Sequence, residues 1–195
     1  MYLGLKRIFD IFVTSIFIIC FLPLGVLIAI CIFIESGPPV FYLQDRVGKD
    51  GKTFKMFKFR SMIHNAEEFT GPVWAKKDDP RITRVGRFIR PLRLDEIPQV
   101  FNVLRGEMSM IGPRPERPCF VMELNNHIND YDKRLRIRPG ITGLAQIVYK
   151  YDTSIADVQK KIELDLYYID NISFISDVKI LVKTIGVMVS GKGAH

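Results

Sequence analysis

Two adjacent carboxylates, Asp95 and Glu96, stand just before a proline in Leu94-Asp95-Glu96-Ile97-Pro98-Gln99. Proline fits the first turn of a helix, where no amide donor is needed. The spacing therefore predicts that both acids sit at a helix N-terminus, where free N–H groups and the helix dipole favour anions. Such a place should keep Asp95 ionised, near or below the free value of about 3.9. Neighbouring residues do not share a helix face, so the two acids should address different targets. One would act as nucleophile or metal ligand and the other as base. An aspartate ahead of a helix is also a common N-cap, and both readings stand at this point.

Cationic groups surround the pair in sequence. Arg114 lies between Pro113 and Pro115. Proline on each side restricts the chain to extended forms, so this guanidinium either presents itself to a phosphate oxygen pair or sits on a turn that the prolines only shape. Lys58 and Arg60 alternate on one predicted strand face, facing either phosphate or solvent. Arg81, Arg84, Arg87, Arg90 and Arg93 recur at every third position. In contrast, His64, His127 and His195 are scattered without metal-ligand spacing, and Trp74 sits in a polar stretch as a marker of a membrane interface.

The composition agrees with phosphate chemistry. Residues 49–93 hold twelve basic and five acidic side chains, an excess equal to the entire net charge of +7. A basic surplus points to nucleic acid, anionic lipid or nucleotide as partner, and no recognised nucleic-acid module is present. Cys20, Cys31 and Cys119 form no CxxC pair, so neither a disulfide framework nor a zinc site follows and a reducing compartment is expected.

The elements that must hold these groups begin with an apolar run from Ile8 to Ile34, interrupted by Asp10, Thr14 and Ser15. A membrane-crossing helix needs about 20 such residues. The run is too long for a cleavable leader. Lys6 and Arg7 precede it, and Arg46 through Arg60 follow it with six cations. Lysine and arginine favour the cytoplasmic side, so both flanks ask for the same side. Pro23, near the middle, bends a helix. A re-entrant hairpin with both ends cytoplasmic is expected, the alternative being a single kinked span.

Beyond Gly37-Pro38-Pro39 the pattern predicts short strands at Val40–Leu43 and Thr53–Met62, with Phe57 and Phe59 on one face of the second and Met56, Lys58 and Arg60 on the other. Residues 63–80 read as mostly loop. A short basic amphipathic helix should end near Pro91, and another should run from after Asp95 to Arg105 with Gly106 as its stop. Ser109–Pro115 and Arg138–Gly143 read as loops and 117–129 as a helix. Further helices should open at Thr153-Ser154 and at Ser176-Asp177, the last packing inside or lying on a bilayer surface with Lys179, Lys183 and Lys192 extended. The expected fold is α+β: a re-entrant membrane helix hairpin over 1–36, then a small, mainly helical catalytic domain over 37–195 with a short β-sheet and interfacial amphipathic helices.

Three stretches in order, Lys58-Phe59-Arg60-Ser61-Met62, Leu94-Asp95-Glu96-Ile97-Pro98-Gln99 and Gly112-Pro113-Arg114-Pro115, closely resemble the bacterial sugar transferase family, the small monotopic phosphoglycosyl transferases. The resemblance extends from Lys6-Arg7-Ile8-Phe9-Asp10 through Arg138-Pro139-Gly140-Ile141-Thr142-Gly143 to Ser190-Gly191. It implies an enzyme at the cytoplasmic face of the bacterial inner membrane that takes a UDP-sugar and a polyprenyl phosphate, requires Mg²⁺, and releases UMP. It implies that Asp95 is a nucleophile forming a covalent phospho-sugar, with Glu96 as base or metal-site partner. It places Lys58, Arg60, Arg93, Pro113, Arg114, Pro115, Arg138, Thr142 and Gln146 at the substrates. Membrane lipids are expected partners, nucleic acid is not, and a homodimer is left open. Leu22 stands before Pro23 where the family often has serine, and the extra N-terminal helices and domain of larger members are not expected. A non-enzymatic adaptor binding anionic lipid through its basic stripe is the competing reading; it would be indifferent to Asp95. The sugar and the glycan pathway are not legible.

Overall fold

A computed structural model describes residues 2–66, 68, 71, 79–149 and 155–189. Trp74, the Thr153-Ser154 helix opening, Lys192 and the Ser190-Gly191 tail lie outside the described residues. The fold mixes helices with short sheets, in agreement with the α+β expectation. It begins with one helix, α1 (Tyr2–Ser36), that continues through Pro23. Gly4–Ser36 is the one stretch among the described residues long and apolar enough to cross a membrane. A break into two helices at Pro23 is not what the structure shows.

Both ends of α1 nevertheless dock on the same body. Near its start, Lys6 Nζ lies 2.7 Å from Asp177 Oδ2, Arg7 donates to the carbonyls of Val103 and Leu104, and Asp10 accepts from Ser109 Oγ at 2.9 Å and Met110 N at 3.1 Å. The flanking cations read as topology signals are thus also structural. Toward its end, Ile28 and Ile32 are buried against Phe59, Ile89 and Leu94. Between the two docked ends, Ile16, Ile19, Leu22 and Val26 are exposed, an apolar arc without a protein partner.

Strands β1 (Phe41–Val47) and β2 (Thr53–Phe59) form an antiparallel hairpin in which Tyr42 pairs with Lys58 and Gln44 with Met56. β1 is longer than its apolar start suggested, because Gln44 and Arg46 continue the alternation with polar side chains. Met56 is buried in the main core with Val103, Met108 and Ile111, so the face of β2 expected to be basic is core at one end and cationic at the other. The hairpin leads to α2 (Arg84–Ile89), whose first turn is capped by Thr83 Oγ1. The arginine row therefore forms a much shorter helix than its period predicts. Arg81 is outside it, ion-paired with Asp79.

The two loops expected at 109–115 and 138–143 instead pair as parallel strands, β3 (Ser109–Ile111) and β4 (Gly140–Thr142). The backbones approach so closely that any Cβ on Gly140 would collide with Gly112 N, a constraint invisible to periodicity. The remaining α-helices are α3 (Val100–Arg105), α4 (Pro118–His127), α5 (Leu144–Val148), α6 (Ile155–Asp170) and α7 (Phe174–Val189). On α7, Ile180 is buried while Val182 and Ile185 are exposed.

Candidate active site

The acids are placed by the segment between α2 and α3 (Val100–Arg105). After α2 the chain turns at Arg93, which takes left-handed geometry (φ 54) and precedes a 3-10 helix over Leu94–Gln99. Leu94 is buried among Ile89, Phe59 and Ile28, and Ile97 packs against the same group. That apolar grip fixes the turn. The α-helix starts only at Val100, and its stop at Gly106 (φ 80) is as expected. Asp95 lies inside the 3-10 helix, and no side chain caps its start, so the N-cap reading is set aside. With three residues per turn, the two adjacent acids point roughly 120° apart.

Their environments differ as sharply as their directions. Glu96 Oε1 accepts from Arg114 Nη2 at 2.7 Å and from Lys58 Nζ at 3.1 Å, and Arg114 Nη1 lies 3.5 Å from Oε2. Burial alone would raise its pKa, but Arg114 and Lys58 hold the carboxyl well below the usual carboxylate range. Asp95 lines an open cleft of about 730 Å³ and makes no side-chain hydrogen bond or ion pair among the described residues. Burial pushes its carboxyl up to about 6, against the opposing charge of Lys58 and with the help of Glu96. The sequence expectation of an unperturbed or depressed Asp95 is thereby corrected: desolvation outweighs the favourable field of the turn.

Arg114 is held by more than its prolines. Pro113 O accepts from Gly140 N, Arg114 O from Arg134 Nη2, and Pro115 O from Arg46 Nη1. Arg134 is fixed by Asp165 at 2.7 Å in a buried ion pair. The Pro-Arg-Pro segment is therefore clamped from β4, from the Tyr131–Arg136 turn and from β1.

The other sequence candidates separate into two groups. Lys58, Arg60, Asp95 and Arg114 line the cleft, and Arg93 lies close enough for its charge to act on Glu96. Arg60 is buried, and its Nη2 donates to the carbonyls of Ser36 and Gly37 at the end of α1. Its Nε and Nη1 have no hydrogen-bond partner among the described residues. Arg138, Thr142 and Gln146 are not on the cleft wall. Arg138 Nε donates to Gly106 O, Thr142 Oγ1 meets Thr184 Oγ1, and Gln146 Nε2 donates to Ile141 O. These three hold the end of α3 and the β4–α5 corner. Cleft residues that the sequence reading passed over are Arg46, Glu116 and Phe120, together with the Tyr42-Gln44 face of β1. The polar alternation of β1 was the available signal for Tyr42, Gln44 and Arg46.

Among the described residues no three acid, histidine or cysteine side chains cluster to hold a metal alone. Mg²⁺ is commonly held by one or two carboxylates completed by substrate phosphate and water. Asp95 fits that pattern; Glu96, saturated by two cations, fits it poorly. The chemistry available is thus a buried carboxylate, without an ion-pair partner among the described residues, on the wall of a cationic cleft sized for a phosphorylated ligand.

Comparison with known proteins agrees with this chemistry. A family model described as bacterial sugar transferase matches residues 1–191. The chain is 47% identical over 194 residues to a UDP-N-acetylgalactosamine-undecaprenyl-phosphate N-acetylgalactosaminephosphotransferase of Aeromonas hydrophila, covering 100% of this chain and 46% of that protein. It is 49% identical over 151 residues to a Bacillus subtilis (strain 168) protein named as a candidate undecaprenyl-phosphate N-acetylgalactosaminyl 1-phosphate transferase, covering 75% of this chain and 84% of that one. An undecaprenyl-phosphate galactose phosphotransferase of Salmonella typhimurium is 39% identical over 205 residues, 98% of this chain and 42% of its own length. The chain thus spans less than half the length of the Aeromonas and Salmonella relatives. With a family match that runs from α1 through both acids to α7, the chain belongs to the bacterial sugar transferase family.

Proposed function

We propose that this chain transfers a sugar 1-phosphate from a UDP-sugar to undecaprenyl phosphate and releases UMP, the first membrane step in building a surface glycan. The observation that carries the reading is the contrast within the acid pair: Glu96 is neutralised by Lys58 and Arg114, whereas Asp95 faces the cleft with its carboxylate unengaged.

An oxygen of Asp95 attacks the β-phosphorus of the donor. The bond from that phosphorus to the bridging oxygen breaks, and UMP departs with the electron pair. An oxygen of the lipid phosphate then attacks the same phosphorus and frees Asp95 as carboxylate, with no net proton change. Carboxylates are established nucleophiles of this kind. Two anions must meet, so charge neutralisation dominates the barrier. Arg114 and Lys58 supply it, and Glu96 aims both groups. Glu96 is too acidic to serve well as a base, so its role is positioning. Asp95 is the residue that would help to hold Mg²⁺, which would supply polarisation of phosphoryl oxygens.

The membrane reading follows from α1. Its two ends dock on one body while its middle presents an apolar arc. This supports a re-entrant helix entering and leaving the cytoplasmic face of the bacterial inner membrane, bent at Pro23 rather than broken. UMP release from a panel of UDP-sugars with undecaprenyl phosphate tests the function. The wild type should release UMP with at least one donor and, without acceptor, gain the mass of one phospho-sugar. Full transfer by Asp95→Asn would overturn the covalent route.

A further inference from the structure

The cleft has two chemically distinct ends, and the hairpin register orients them. Tyr42 pairs with Lys58, the cation bonded to Glu96. From there Tyr42, Gln44 and Arg46 follow on one face of β1, all lining the cleft. At the rise of an antiparallel strand the row extends about 13 Å, enough for a diphosphate and a nucleoside laid end to end. At the near end Arg60 is bonded to the last carbonyls of α1. At the far end Arg46 Nη1 donates to Pro115 O and approaches Glu116, beside Arg117 and Phe120 of the α4 start. A polyprenyl tail cannot leave the bilayer, so on the reading of α1 as the membrane helix the acceptor must come from the near end. The soluble part of the donor is left the far end.

We propose that Gln44 and Phe120 form the uridine subsite of the cleft, with Phe120 as the stacking wall and the Gln44 amide reading the edge of the pyrimidine. The amide is pre-set for this. Arg46 donates to Gln44 Oε1 from Nε at 3.0 Å and from Nη2 at 2.6 Å, which fixes the amide so that oxygen faces the guanidinium. Among the described residues Nε2 makes only a long bond of 3.4 Å to Tyr42 Oη, leaving donor capacity for a pyrimidine carbonyl. Phe120 and Arg117 both line the cleft, with the guanidinium 6.0 Å from the ring centroid, a pairing of aromatic ring and positive charge that suits a base and its adjoining phosphate. The inference rests on the UDP-sugar reading, which it refines by placing the nucleoside.

The test is equilibrium binding of UMP, UDP and CMP to the full chain in detergent, by calorimetry, for the wild type, Gln44→Ala, Phe120→Leu and Phe120→Trp. Gln44→Ala should weaken UMP about tenfold and narrow its advantage over CMP. Phe120→Leu should weaken both nucleotides alike, and Phe120→Trp should restore binding; thermal melts confirm that each variant is folded. Wild-type affinity in folded Gln44→Ala and Phe120→Leu would overturn the placement while leaving the donor reading intact. A wild type that binds neither UMP nor UDP, and releases no UMP from any UDP-sugar, would remove the donor reading and the subsite with it.

Discussion

Arg114 and Glu96 form a two-point pair, with Arg114 Nη2 2.7 Å from Glu96 Oε1 and Nη1 3.5 Å from Oε2. The pair ties the clamped Pro-Arg-Pro segment to the turn that carries Asp95. Removing the guanidinium leaves Glu96 with Lys58 alone and takes one cation from the phosphate path. Arg114→Ala should lower the rate of UMP release about 10²-fold. Arg114→Lys should recover only part of it, because an ammonium cannot reproduce the planar fork. Steady-state kinetics with a saturating donor would check both, and an unchanged rate in Arg114→Ala would remove Arg114 from the mechanism.

Nucleophilic attack needs Asp95 ionised, and burial pushes its carboxyl up to about 6. UMP release should therefore rise with pH through that value and level off above it. Lys58 pulls the Asp95 pKa down, so Lys58→Met should move the rising limb to higher pH as well as lowering the plateau. A pH–rate profile of the first half-reaction, in the absence of lipid acceptor, isolates this step.

The same shift has a cost in stability. A carboxyl whose pKa rises from 3.8 to about 6 on folding binds its proton more tightly in the native state. Stability therefore falls as pH rises between those values and stays lowered above the folded one. The shift corresponds to about 3 kcal/mol at neutral pH. Asp95→Asn should abolish transfer yet raise Tm at pH 7.5, with the gain vanishing below pH 4. A lower Tm at neutral pH would contradict the assigned burial cost.

How much of this was legible in the sequence depends on the range of the determining contact. Local signals served well for the Gly106 stop, the α4 helix and the apolar α1, each set by a few neighbouring residues. The acid pair and Arg114 stand out in the sequence because their side-chain types and flanking prolines are local features. What failed was long-range. β3 and β4 read as loops because a three-residue parallel pairing across about thirty residues of chain leaves no periodic trace. Asp95 was expected to be acidic because a helix-start field is visible in sequence, whereas its desolvation by surrounding segments is not. Arg138, Thr142 and Gln146, which the family resemblance placed at the substrates, make contacts away from the cleft, at Gly106 O, Thr184 Oγ1 and Ile141 O, and such distant pairings leave no mark in the sequence.

Asp177 illustrates that same dependence on distant partners. It is fully buried and accepts from Lys6 Nζ at 2.7 Å, Tyr2 Oη at 2.8 Å and Tyr168 Oη at 2.6 Å, joining α1, α6 and α7. Asp177→Ala would leave the buried Lys6 ammonium with Asp10, at 3.6 Å, as its remaining carboxylate and take an acceptor from two hydroxyls, and should destabilise the fold by about 3 kcal/mol. Asp177→Asn, which keeps an acceptor for the tyrosines, should cost less. Thermal melts in detergent would rank them, and equal melting of wild type and Asp177→Ala would show that the network does not hold α1 in place.

The docking of both α1 ends leads to a topology experiment. In a background with Cys20, Cys31 and Cys119 replaced, single cysteines at Leu5 and Ser36, both exposed, would report the two flanks. A re-entrant helix puts both on the cytoplasmic side. A membrane-impermeant maleimide should then label neither in intact cells and both in inverted vesicles. A spanning helix would leave one labelled from outside, and the Lys6–Asp177 and Arg60–Ser36 contacts could not then coexist in one folded chain. On the re-entrant proposal a bend at Pro23 within one leaflet lets the helix keep both contacts. Replacing Pro23 with alanine, which restores the missing amide and removes the ring clash, should therefore favour the straight spanning form, with labelling of one flank in intact cells and a parallel loss of UMP release.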